Sequence, residues 1–184
     1  KTLKLVTEIP LPGRLLTGNR NQTFALSADG KLGYVYEMAP ATSIIVVDLV
    51  RRKVAQTVEI GGCGMVFAAG NDKVAALCGD GTLSTITIAG SKNTVAQSNA
   101  FFAADDDPIF DNSVTDPRTG KAIFLSYTGM VYETTIGGSA PVGPGWSLQE
   151  AAGMARVTNA PLQPSWLPGG RQLIRVIRIG APPS

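Results

Sequence analysis

The sequence contains no histidine. That removes Ser-His-Asp and Cys-His relays, histidine zinc ligands and an imidazole general base from the chemistry the chain can perform alone. Charge is also scarce: 16% of residues are Asp, Glu, Lys or Arg, against about 25% in an average globular protein. Sixteen Lys and Arg stand against fourteen Asp and Glu, a formal net charge of +2. The composition therefore gives no electrostatic reason to expect a nucleic-acid partner. No apolar run approaches the roughly 18 residues of a transmembrane helix, so no membrane partner is expected either. The opening Lys1-Thr2-Leu3-Lys4 lacks the apolar core of a signal peptide, and the chain reads as cytosolic or already processed.

What remains suits a packed, β-rich protein. Of 184 residues, 44% are hydrophobic, enough for a core and too many for a disordered segment. The length fits one ordinary domain or part of a larger one. Helical patterning is sparse, and Ser147 to Arg156 is the one credible short helix.

The organising feature is an internal repeat. Three polar turns end in lysine: Ser27-Ala28-Asp29-Gly30-Lys31, Gly70-Asn71-Asp72-Lys73 and Asp116-Pro117-Arg118-Thr119-Gly120-Lys121. The lysines are 42 and 48 residues apart, and each precedes an apolar strand, a tight turn and another strand. The second and third copies match closely: Gly81 and Gly129 each follow their lysine by eight residues, Ile88 and Ile136 by 15. Gly81 and Gly129 supply the positive φ that a hairpin turn needs. The first copy carries a longer loop, Met38 to Ser43, before the continuously apolar Ile44-Ile45-Val46-Val47, which reads as a strand buried on both faces. Thr82 to Ile88 alternates polar and apolar, the period of a half-buried strand.

A repeat of about 40–50 residues with roughly four strands is the signature of a β-propeller blade. Propellers close with 4–8 blades, whereas the visible repeats number three, at about residues 23–60, 61–104 and 105–160, with an incomplete blade at 161–184. Residues 1–184 therefore read as a single partial propeller domain, all-β, whose open flank calls for further blades or a partner. A closed four-bladed ring is the alternative.

Several residues invite a chemical reading. Cys63 and Cys78 sit at hairpin spacing. A bridge between them would close a loop of about 15 residues, worth ~3 kcal/mol, and imply an oxidising compartment; two buried free thiols are the alternative. Asp105-Asp106-Asp107 has the oxygen donors of a Ca²⁺ or Mg²⁺ site, but three carboxylates before Pro108 are more simply a solvated, capped turn. Trp146 and Trp166 read as packed indoles whose N–H finds a partner. Pro168-Gly169-Gly170 and Gly120-Lys121 lack the spacing of a phosphate loop. Arg171, Arg175 and Arg178 read as charges protecting an edge strand, with an acidic electron-transfer partner as the alternative. Asn21-Gln22-Thr23 fits a glycosylation sequon, relevant only in a eukaryotic secretory context.

The order and spacing of several segments resemble a known family. They are Ala39 to Ile44 running into Val46-Val47-Asp48, Cys63 through Cys78-Gly79-Asp80-Gly81-Thr82-Leu83, and Asp106-Asp107-Pro108-Ile109-Phe110. Ser126 to Tyr132, Trp146-Ser147-Leu148 and Trp166 to Gly170 continue the series. From about Glu8 to Arg178 the sequence is similar to the heavy subunit of quinoprotein amine dehydrogenases, in its aromatic and methylamine branches. It departs at Arg171, where the family has an aromatic residue, and at Ile177, where it has a histidine.

The resemblance implies a section of a seven-bladed β-propeller, in the periplasm, with no cofactor on this chain. The redox centre, tryptophan tryptophylquinone, would sit on a separate disulfide-rich light chain, where a primary amine is oxidatively deaminated. A small copper protein would accept the electrons. The heavy subunit scaffolds that complex, and Asp106, Asp107, Pro108, Phe110 and Trp166 become candidates for the light-chain interface. A propeller-derived binding module without amine chemistry and a degenerate gene fragment are the rival readings.

Overall fold

A computed structural model describes residues 4–15, 21–90 and 92–151. Strands β1 (Arg14–Leu15), β2 (Phe24–Leu26), β3 (Leu32–Ala39), β4 (Ser43–Asp48) and β5 (Lys53–Glu59) form the first sheet. The second sheet contains β6 (Cys63–Ala69), β7 (Lys73–Cys78), β8 (Leu83–Thr87) and β9 (Thr94–Gln97). The third contains β10 (Ile109–Thr115), β11 (Lys121–Ser126), β12 (Met130–Thr135) and β13 (Trp146–Ser147). Each sheet is an antiparallel meander, with β1 added beside β3 in the first. One short helix, α1 (Leu148–Ala151), follows; it falls within the helix expected from Ser147 to Arg156, and residues 152–156 lie outside the described residues.

The sheets stack face to face through two separate cores. Tyr34, Ile44 and Val46 of the first sheet, with Ile60 just after it, pack against Val66, Ala68, Val74, Ala76 and Ile86 of the second. On its other face, the second sheet sends Phe67, Ala75, Leu77 and Leu83 against Ile109, Ala122, Phe124 and Tyr132 of the third. Successive residues of a strand point to opposite faces, so Val66 and Phe67, or Val74 and Ala75, enter different cores. This is why β7 is apolar from Val74 to Cys78: both its faces are covered. Stacked four-stranded meanders joined outer strand to next inner strand are propeller architecture, and the chain is a section of such a propeller.

Two local expectations change. The strand read as half-buried from its alternation is buried on both sides, with Ser84 at 5% and Thr85 at 7% exposure, because the second sheet is sandwiched between the other two. The loop expected from Met38 to Ser43 shrinks to residues 40–42, because β3 runs on to Ala39. Pairing of Arg14 with Ala39 and Leu15 with Glu37 holds that extension in the sheet. The hairpin glycines behave as read: Gly81 and Gly129 have φ of +82° and +89°. At Gly81 a Cβ would also collide with the Phe102 carbonyl oxygen.

Neighbouring sheets are tied at both ends. At one end, the Ala28 N–H donates to the Gly70 carbonyl at 2.8 Å and the Gly70 N–H to the Pro117 carbonyl at 2.6 Å. Proline has no N–H, so the relay stops at the third sheet. At the other, the crossings are tied to the β7–β8 turn: the Gly79 N–H donates to Gly62 at 2.9 Å and the Phe101 N–H to Gly81 at 3.0 Å. Asn99 bonds both backbone groups of Val142, at 3.0 and 2.9 Å, and the amides of Gln56 and Asn93 bond reciprocally.

Candidate functional site

Because every sheet is an antiparallel meander, its connections fall alternately at two ends. The turns after β2, β6 and β10 share one end, together with those after β4, β8 and β12. The turns after β3, β7 and β11 share the other, together with the crossings between sheets.

The second of these ends gathers the described residues read as a bridge or as interface candidates. Cys63 opens β6, Cys78 closes β7, and the two are directly opposed and joined by a disulfide. Next to the bridge the register shifts between Gly64 and Phe67, and Met65 takes a φ of +63°, a bulge that turns its side chain toward the core between the second and third sheets. Asp105 to Pro108 form the crossing into the third sheet, and Phe110 is the second residue of β10. Trp166 lies outside the described residues, as do Arg171, Arg175 and Arg178.

The acidic run divides into exposed and engaged members. Asp105 and Asp106 face solvent. Asp107 turns inward: its carboxylate accepts from the Ser126 hydroxyl at 2.6 Å, the Thr128 N–H at 2.7 Å and the Thr128 hydroxyl at 2.8 Å. Ser126 Oγ in turn accepts the Met130 N–H at 3.0 Å. Asp107 therefore binds the crossing to the β11–β12 turn, while burial first and then the Asp107 charge push the Tyr132 phenol up. Replacing Asp107 by Ala strands the buried Ser126 hydroxyl, and a loss of about 1–3 kcal/mol is expected by urea denaturation. An unchanged midpoint would show that the turn stands without it.

Pro108 presents its carbonyl to the Tyr127 N–H at 2.9 Å. Phe110 remains 48% exposed, its ring edge-on to Tyr127 with centroids 6.3 Å apart. Asp106 and Phe110 thus leave a carboxylate and an aromatic ring open to a partner, whereas Asp107 is occupied within the chain. Trp146 is half-buried and donates its indole N–H to Glu133 at 3.2 Å, a packing role. Among the described residues, no group of three or more His, Cys, Asp or Glu is placed to hold a metal ion. Likewise, no described helix is long and apolar enough to cross a membrane.

One property escaped the sequence. Within residues 21–151 every Lys and Arg belongs to the end carrying the β2–β3 turn. The first sheet places Lys31, Arg51, Arg52 and Lys53 there, the second Lys73 and Lys92, the third Arg118 and Lys121. Four aspartates accompany them: Asp29, Asp48, Asp72 and Asp116. The disulfide end has Glu59, Asp80, Asp105, Asp106, Asp107 and Glu150. Along the sequence these charges look interspersed; only strand direction sorts them.

The turn aspartates hold local structure. The Lys31 N–H, then the Ser27 hydroxyl, keep the Asp29 carboxyl below the usual carboxylate range. The Thr82 hydroxyl and N–H do so for Asp80, and the Arg118 N–H, then the Thr119 hydroxyl, for Asp116. On the inner side, an open groove of about 460 Å³ runs past Phe24, Leu26 and Val114. Its lining comes from β2, β6 and β10, the first meander strands of the three sheets.

Comparison with known proteins gives a consistent answer. A family model described as methylamine dehydrogenase heavy chain (MADH) matches residues 1–179. The methylamine dehydrogenase heavy chain of Methylorubrum extorquens AM1 is 24% identical over 170 residues, 91% of this chain and 39% of the relative. That of Methylobacillus flagellatus is 24% identical over 173 residues, 93% and 42% of the two chains. That of Paracoccus versutus is 25% identical over 165 residues, 90% and 37%. The chain thus spans well under half the length of the curated relatives it matches. Among solved structures, the β-propeller domain of Myceliophteria thermophila Cps50 (Swd1) aligns with a TM-score of 0.44 at 11% identity, over 67% of this chain and 42% of that one.

Proposed function

Because the chain belongs to the methylamine dehydrogenase heavy chain family, we propose that it serves as the non-catalytic heavy subunit of a periplasmic amine dehydrogenase. Its work is to hold and orient a separate light chain that carries tryptophan tryptophylquinone. The observation that carries this reading is the family match across residues 1–179, on a framework of stacked sheets. The disulfide between Cys63 and Cys78 supports an oxidising compartment.

In this reading the quinone on the light chain supplies the electrophile and electron sink for oxidative deamination of a primary amine. A small copper protein removes the electrons from the complex. This chain's own residues contribute surface. Asp106 and Phe110 offer a charge and an aromatic anchor for the light chain, a combination suited to an interface hot spot. Pro108 and Asp107 fix the crossing on which they stand, and Trp166 is proposed to join the same interface.

Co-expression with a light chain of the family tests the proposal. The two chains are expected to co-elute on size exclusion with quinone absorbance in the shared peak. Phe110→Glu is expected to separate them while leaving this chain folded. A light chain that never co-elutes with the native chain would sink the subunit reading.

A further inference from the structure

The lysine end has a built order that the subunit reading does not use. Lys31, Lys73 and Lys121 occupy equivalent positions, each at the entry to the second strand of a sheet's meander: just before β3, first in β7 and first in β11. The turns that carry the first two are bonded to the next sheet's turn through Ala28, Gly70 and Pro117, so the three lysine backbones are held in register across the sheets. The stem of Lys73 runs close over Gly137, where an added Cβ would lie 2.8 Å from Lys73 Cδ.

Cations outnumber aspartates at this end, and two of the cations are held in ion pairs. Lys31 pairs with Asp29 at 3.1 Å and Arg51 with Asp48 at 3.5 Å. Among the described residues, no ion pair engages Arg52, Lys53, Lys73, Arg118 or Lys121. Arg52 stands at the tip of the same end. It holds a φ of +55° in the tight β4–β5 turn, where glycine is the usual occupant. A long cation therefore stands at the tip of a turn that glycine would form with less strain.

We infer that this end is a docking surface for an acidic protein, on the side of the sheets opposite the candidate light-chain interface. The four aspartates among the cations decide the class of partner. A nucleic-acid backbone or an anionic membrane presents unbroken negative charge, which Asp29, Asp48, Asp72 and Asp116 repel. A protein surface of mixed, mostly negative charge can set its own cations against those aspartates and its carboxylates against the lysines, which gives orientation as well as attraction. The inference does not depend on amine chemistry and stands or falls separately from the subunit reading.

Binding of poly-L-glutamate to the full chain tests it, with a 20-base-pair DNA duplex and phosphatidylserine vesicles as parallel probes at the same salt. Poly-L-glutamate is expected to bind the native chain, more weakly as salt rises. Lys73→Gln/Arg118→Gln/Lys121→Gln is expected to weaken that binding at least tenfold. A charge-matched control, Ala41→Glu/Gly61→Glu/Ala103→Glu, lowers the net charge equally at the opposite end and is expected to change binding less than threefold. If the triple glutamine variant misfolds, Arg52→Gln/Lys53→Gln asks the same question on exposed turn residues. Equal losses in the two charge-matched variants would reduce the effect to net charge and overturn the proposal. So would tighter binding of DNA or vesicles than of poly-L-glutamate.

Discussion

Phe124→Ala is expected to cost about 3–5 kcal/mol of stability, read as a shift of the urea unfolding midpoint. The ring is fully buried and joins three parts of the chain. It meets Phe67 of β6 edge-on at 5.2 Å and lies 5.9 Å from Phe101 on the crossing between the second and third sheets. Its own strand, β11, is central in the third sheet. Truncation removes the transfer energy of an aromatic side chain and leaves a cavity that the neighbouring rings fill only in part. Hydrogen exchange should show the third sheet losing protection before the first. A loss below about 1 kcal/mol would mean that the sheets do not pack through this ring.

The second large effect belongs to the disulfide. Cys63→Ser/Cys78→Ser is expected to destabilise the chain by about 3 kcal/mol, the chain-entropy value for a closed loop of 15 residues. Reduction of the native chain should shift the unfolding midpoint comparably, and the intact mass under non-reducing conditions should be two hydrogens below that of the dithiol. A mass equal to the dithiol would remove the bridge from the fold. The two perturbations act on different states: Phe124→Ala weakens the folded chain, whereas loss of the bridge frees the unfolded one.

The fold was legible where its signals repeat. Lysine turns spaced 42 and 48 residues apart mark three meanders, and glycines eight residues beyond the second and third lysines mark their hairpins, because a left-handed turn position leaves few alternatives to glycine. Burial was less legible. Ser84 and Thr85 carry the polarity of a surface strand, yet neighbouring sheets cover both sides of β8, which no local period reports. The addition of β1 to the first sheet was also invisible, since two residues carry no periodicity. At the candidate site, the acidic run before Pro108 could be located, but not the division of labour within it. Asp107 faces Ser126 and Thr128, some twenty residues later, while Asp106 is left outside. The separation of charge between the two ends is a product of strand direction and emerges only once the turns are placed.

The two-sided packing of the second sheet carries a consequence for its pairing register. In a sheet with one wet face, a slip by a single residue drives apolar side chains into water and is strongly disfavoured. In β7, Val74 to Leu77 present apolar groups on both faces, so the same slip exchanges one apolar residue for another and little hydrophobic energy opposes it. What distinguishes the correct alignment is volume: Phe67 has its place opposite Phe124, where Val66 would leave a void. The bond between Cys63 and Cys78, made between directly opposed residues, admits one alignment of β6 on β7 at that end. The bridge thus encodes a choice that the pattern of polar and apolar residues leaves nearly degenerate.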